Sequence, residues 1–182
     1  NLGAIGDAGA IVTKQKTLFD RYMLLRNRGS KKRAVHILPG LNSRLDELQA
    51  VILRDKLTRL EAMNEKRREI AGWYREQLMG IPGIVLPNER KDAKHVYHLF
   101  VIRTRRRKNL MHYLDENGIA TLIHYPYPLH RQQAFRRYFR SSLSATERYA
   151  KEILSLPIHP FMTKKQIMHI GKLIREYYRK RT

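Results

Sequence analysis

The chain has 182 residues, 42% of them hydrophobic, which is enough apolar material for a packed core and excludes a disordered tail. It contains no cysteine, so disulfides and thiolate metal sites are excluded, and no apolar run reaches the roughly 20 residues that span a bilayer. Lys and Arg number 37 against 16 Asp and Glu, a formal charge of +21, which attracts polyanions without choosing among nucleic acid, anionic lipid and phosphorylated metabolites.

In chain order, "NLGAIGDAGAIVT" reads as a glycine loop (Gly3, Gly6, Gly9) entering a buried strand at Ala10, Ile11 and Val12. "KTLFDRYMLLRNRG" puts Leu18, Tyr22 and Leu25 on one helical face and stops at Gly29. "KKRAVHILPG" reads as a loop before a long helical pattern whose start is marked by Ser43 and Asp46 in capping-box register. Leu45, Leu48, Ile52, Leu60, Met63, Ile70, Tyr74 and Leu78 keep three-and-four spacing until Gly80 and Pro82 end it. At 1.5 Å per residue this helix is on the order of 50 Å long, more than one small domain covers, so it is expected to bridge domains or pack in a dimer. Beyond it, "GIVLP", "HVYHLFVIRT" and "IATLIHY" read as strands, and "RKNLMHYLDENG" as a helix closing at Gly118. Two more helices begin at Ser144 with Glu147 and at Thr163 with Gln166, both in capping-box register. The expected fold is α/β, with an α+β unit after the long helix.

Motif chemistry alone finds no active site. The glycines are spaced G-x-x-G-x-x-G and precede the predicted strand, where a dinucleotide or nucleotide loop follows one. His95 and His98, read on a strand, point to opposite faces and make a poor metal pair, so no metal site is assigned. The clusters Lys31-Lys32-Arg33, Arg105-Arg106-Arg107-Lys108, Arg136-Arg137 and Arg179-Lys180-Arg181 sit in turns or at helix ends, where solvated charge is the ordinary expectation.

Five stretches taken together do carry a signal. "NLGAIGDAGAIVT", "GLNSRLDELQAVIL", "VYHLFVIR", "GIATLIHYPYPLH" and "EILSLPIHPFMT" resemble, in order and rough spacing, the second half of DegT/StrS-type sugar-nucleotide aminotransferases, pyridoxal-phosphate enzymes of fold type I. The resemblance implies a cytoplasmic homodimer that aminates a nucleotide-linked keto sugar with glutamate as donor. It implies a remnant of the large cofactor domain over 1–40, the connecting helix over 41–80 and the small domain over 81–182. In that family a glycine loop like this one follows the lysine that forms the Schiff base. Asn1 then aligns just after that lysine, and the chain by itself is expected to be inactive. The transferred roles are a cofactor-phosphate contact across the dimer for Asn42, with Arg44 assisting, a place near the substrate hexose for His124 and Tyr125, and a sugar-diphosphate contact for Lys32 or Arg33.

Read without the resemblance, Asn42 is a cap or turn residue before Ser43 and His124 is a strand-end histidine held by a backbone hydrogen bond. Leu41 and Leu129 stand where the family pattern has an aromatic and a proline. Two other classes stay open: a nucleic-acid-binding protein, favoured by the charge and by Tyr138 and Phe139 among arginines in "RQQAFRRYFR", and a non-catalytic dimerisation domain built on the long helix.

Overall fold

The structure, a computed structural model, describes residues 1–139 and 141–180; the basic positions Arg140 and Arg181 lie outside the described residues. The chain divides into two compact units, one of Leu2–Glu61 and one of Asn1 with the residues from Ala62 onward. The boundary falls inside a long helix, and each unit is described by itself.

The first unit contains helix α1 (Lys16–Arg26), an antiparallel ribbon of β1 (Ser30–Lys32) and β2 (Val35–His36), and the first half of α2 (Glu47–Leu78). The ribbon replaces the expected loop: Ala34 takes a left-handed φ of 62°, which reverses the chain so that Lys32 pairs with Val35. No strand forms at Ala10–Val12, where Ile11 is 72% and Val12 92% exposed. Nor does Ser43 cap α2. The helix begins at Glu47, and the Asp46 carbonyl accepts the Ala50 amide, which makes Asp46 the capping position. None of the hydrophobic side chains of Leu2–Glu61 is buried.

The second unit holds the core. Strands β3 (Phe100–Arg103) and β4 (Ile153–Leu156) pair antiparallel, with Phe100 opposite Leu156 and Ile102 opposite Leu154. Single bridges extend this pair on both edges, Val85 to Arg103 and Leu122 to Ser155. "GIVLP" and "IATLIHY" are thus reduced from strands to one bridge each, and "HVYHLFVIRT" to Phe100–Arg103. Pleating explains the burial: Phe100 and Ile102 face the core, while Val101 and Arg103 between them are half-buried.

Helices α2, α3 (Arg107–Glu116) and α5 (Lys164–Arg179) supply most of the rest of that core, with Ile81, Tyr97 and Met162 from the segments between elements. From α2 come Ile70, Ala71, Tyr74 and Leu78, and from α5 Ile167, Ile170, Ile174 and Tyr177, each set at helical spacing. The Thr163 and Gln166 box forms as expected, Thr163 Oγ1 accepting from the Gln166 amide and Gln166 Oε1 from the Thr163 amide at 2.8 Å. Gly118 follows α3 with a φ of 74°.

The expected box at α4 (Ser144–Glu152) is built differently. Leu143 is the capping residue, and Glu147 Oε1 accepts from its amide at 3.2 Å, from Ser142 Oγ at 2.9 Å, from Arg131 Nη2 at 2.9 Å and from buried His130 Nε2 at 3.0 Å. These donors, His130 foremost, hold the Glu147 carboxyl down to about 2. A carboxylate depressed in the fold stabilises it above its unfolded pKa, about 4.3, and that contribution disappears as pH falls through the folded value. Glu147→Gln is therefore expected to lower the unfolding temperature at pH 6, with the gap to the parent chain closing between about pH 4.5 and pH 2. Thermal melts across that range check it, and a pH-independent gap contradicts it.

Candidate functional site

In the first unit, Asn42 is positioned by the end of α1. The last carbonyls of a helix lack intrahelical donors. Here Leu25 and Arg26 carbonyls receive the amides of Leu41 and Ser43, each at 2.8 Å, while the Arg28 amide donates to the Leu41 carbonyl at 2.8 Å. Asn42, bracketed by these bonds, forms an isolated bridge with Asn27. The approach is close enough to require glycine at two places. A Cβ on Gly29, whose φ is 72°, would lie 1.6 Å from the Leu38 carbonyl oxygen, and one on Gly40 would lie 2.4 Å from the Gly29 nitrogen.

This placement corrects one expectation. The helix start read at Ser43, which would set an anion-favouring N-terminus beside Asn42, is absent, since α2 starts five residues after Asn42, and Asn42 lies against the C-terminal end of α1, the electronegative one. Positive charge comes from Arg44, whose Nε donates to Asn42 Oδ1 at 3.0 Å. That bond commits the amide oxygen and leaves Asn42 Nδ2 and the guanidinium Nη groups as donors, a set that fits a phosphate group such as that of pyridoxal phosphate. Lys32 and Arg33 are exposed at the ribbon turn, and among the described residues neither is bonded to Asn42 or Arg44.

The second unit holds a polar cluster that the sequence reading missed. Asn1 Nδ2 donates to Asn64 Oδ1 on α2 at 2.7 Å and to the Val96 carbonyl at 2.9 Å, and Asn1 Oδ1 meets His98 Nδ1 at 2.9 Å. With the amide oxygen accepting, His98 carries its proton on Nδ1. Burial, followed by Arg67 and His124, lowers the pKa of His98, so the ring is neutral at pH 7 and Nε2 is an acceptor.

Arg67, one turn beyond Asn64, donates through Nη1 to the carbonyls of Tyr97, His98 and Ile158 at 3.2, 3.3 and 3.1 Å. It ties the chain entering β3 to the chain leaving β4. His95 and His98 lie in that entering loop and not on a strand, so the face argument does not apply to them; His95 Nδ1 accepts the Tyr97 amide at 2.8 Å. Among the described residues no three His, Asp or Glu side chains are grouped to hold a metal.

His124 sits two residues beyond the Leu122 bridge to Ser155, and its Nδ1 lies 2.9 Å from buried Ser155 Oγ. The hydroxyl partner replaces the expected backbone bond. Tyr125 is 74% exposed, with its ring edge-on to His124 at 5.5 Å. The cluster had one sequence signal: Asn64 and Arg67 interrupt the stripe of Leu60, Ala71 and Tyr74, where polar groups are buried only if partnered.

The solved structures on which this long helix and antiparallel pair superpose are fold-type-I sugar aminotransferases. The solved structure of DesV from S. venezuelae superposes with a TM-score of 0.92 at 42% identity, covering 97% of this chain and 48% of DesV. NtdA of Bacillus subtilis, solved with bound cofactor PMP, gives a TM-score of 0.84 at 30% identity over 96% of this chain and 43% of its own.

Residues 1–175 match the DegT/DnrJ/EryC1/StrS aminotransferase family profile, and the chain belongs to that family. A dTDP-3-amino-3,4,6-trideoxy-alpha-D-glucose transaminase of Streptomyces venezuelae is 42% identical over 179 residues, which is 97% of this chain and 47% of that protein. A dTDP-3-amino-3,6-dideoxy-alpha-D-galactopyranose transaminase of Aneurinibacillus thermoaerophilus is 44% identical over 169 residues, 93% of this chain and 46% of that protein. The chain thus spans about half the length of the curated relatives it matches.

Proposed function

We propose that this chain forms part of a pyridoxal-phosphate-dependent aminotransferase that aminates a nucleotide-linked keto sugar, with glutamate as donor, in a cytoplasmic homodimer. Residues 1–40 belong in this reading to the large cofactor domain, 41–80 to the connecting helix and 81–182 to the small domain. The observation that carries it, given the family, is the Asn42 and Arg44 pair fixed on the end of α1 with its remaining donors free for a phosphate.

The cofactor, when bound, supplies an electron sink for proton movement at the substrate carbon. Asn42 and Arg44 hold its phosphate in the neighbouring subunit. His124, oriented by Ser155, and Tyr125 line the sugar, and Lys32 or Arg33 meets its diphosphate. Asn64 and His98 position Asn1, and with it the chain on either side. The uncovered apolar side chains of the first unit, among them Leu41, Leu48 and Val51, support burial against a partner subunit.

The test uses the subunit in which these residues follow a lysine-bearing cofactor domain. Asn42→Ala is expected to weaken pyridoxal-phosphate retention about tenfold, near 1.4 kcal/mol, followed by cofactor absorbance on dilution. Unchanged retention removes the phosphate role of Asn42. Absence of amino transfer from glutamate to any nucleotide-linked keto sugar by the parent subunit removes the reading itself.

A further inference from the structure

We propose that a basic groove on the second unit, remote in sequence from the residues assigned above, binds a linear oligophosphate, the di- or triphosphate group of a nucleotide or of an inorganic chain. The groove has a volume of about 1200 Å³ and lies between the Gly80–Val85 turn, the end of β3 and the C-terminal part of α5. Its rim is cationic from three sides. Arg103, Arg105 and Arg106 come from the end of β3 and the turn after it, Arg148 from α4, and Arg175, Arg179 and Lys172 from α5.

Its two acidic residues are already engaged, Glu152 with Arg103 at 3.4 Å and Glu176 with Lys172 at 3.8 Å. Seven basic groups against two acidic ones leave an excess of five positive charges. Among the described residues Arg105, Arg148 and Arg179 have no ion pair, and all three are exposed.

The bland explanation is that these arginines only balance the C-terminal ends of α2 and α5. Each helix end presents about half a negative charge, so two of them account for only about one of the five. The floor is apolar and fixed. Ile81 is buried, Ile84 is half-buried, and Tyr178 is buried with its hydroxyl bonded to Thr104 Oγ1.

Guanidinium groups lining a concavity can match phosphate oxygens in pairs, which favours a compact, multiply charged phosphate chain. A nucleic-acid strand would need exposed aromatic platforms for its bases, and the one ring in the groove is buried and bonded. The volume leaves room for a ligand of nucleotide size.

The experiment is calorimetric titration of the 182-residue chain with inorganic tripolyphosphate and, separately, ATP, at about 0.15 M salt so that diffuse attraction is screened. Both probes are expected to saturate. The double variant Arg105→Ala/Arg179→Ala is expected to bind at least about tenfold more weakly. Arg136→Ala/Arg137→Ala removes the same charge elsewhere and is expected to stay within about twofold of the parent chain. Equal affinity for the two probes assigns the site to the phosphate chain itself, and tighter ATP binding assigns it to a nucleotide on the Ile81 and Ile84 floor. Equal weakening by both double variants, or no saturable binding of either probe, overturns the proposal. Asn42→Ala leaves this binding unchanged, which separates the outcome from the cofactor reading.

Discussion

Tyr74→Ala is expected to lower the stability of the second unit by about 3–5 kcal/mol. Tyr74 is fully buried, its ring stacks on Phe100 at 4.8 Å with 22° between planes, and its hydroxyl donates to the Pro157 carbonyl at 2.8 Å. Burial pushes its phenol well above the ordinary range, so the group stays a neutral donor at any working pH. Alanine removes the ring, the stacking and the hydrogen bond together, and the sheet and helices around it cannot close the space fully.

For a unit of this size each kcal/mol moves the unfolding temperature by several degrees, so a fall of about 10–25 °C follows. Tyr74→Phe keeps the ring and leaves one carbonyl unsatisfied, for a loss of about 1–3 kcal/mol. Urea unfolding of the whole chain checks both. A loss below about 1 kcal/mol for the alanine variant would show that Tyr74 is not the keystone between α2 and β3.

Gly29→Ala is expected to detach the segment that carries Asn42. The new methyl cannot occupy a point 1.6 Å from the Leu38 carbonyl oxygen, and the left-handed φ of 72° penalises any side chain. Relief requires the chain around Leu38 to move, and Gly40, packed on Gly29, moves with it. We expect the Leu41 and Ser43 amides, which close on α1, to lose protection from hydrogen exchange, a local cost of at least about 3 kcal/mol. The phosphate contact proposed for Asn42 is expected to weaken as in Asn42→Ala, although the mutation touches neither Asn42 nor Arg44. Unaltered exchange at Leu41 and Ser43 would show that the loop is held by something other than this crossing.

The sequence by itself determined where the helices lie and part of the chemistry between near neighbours, although of its three capping boxes only the one at Thr163 formed as read. Thr163 and Gln166 cap α5 because both bonds lie within one turn, and Arg44 reaches Asn42 because two residues separate them. The apolar spacing of Ile70, Tyr74 and Leu78 marks the buried face of α2, since a helix makes its own backbone bonds and needs only a surface to lie on.

Strands were the weak point because a strand exists only through its partner. Ile11 and Val12 have the composition of a strand and no ladder in this unit, "GIVLP" and "IATLIHY" shrink to one bridge each, and Val35–His36 becomes a strand only because Ala34 turns the chain onto Lys32. The site followed the same division. The pairs Asn1 with Asn64 and His98, His124 with Ser155, and the basic residues around Gly80–Val85 are separated by 31 to 97 positions or spread over several elements, and no local rule brings them together. Only tertiary structure decided them, because burying a polar group demands a partner without specifying where in the chain that partner lies.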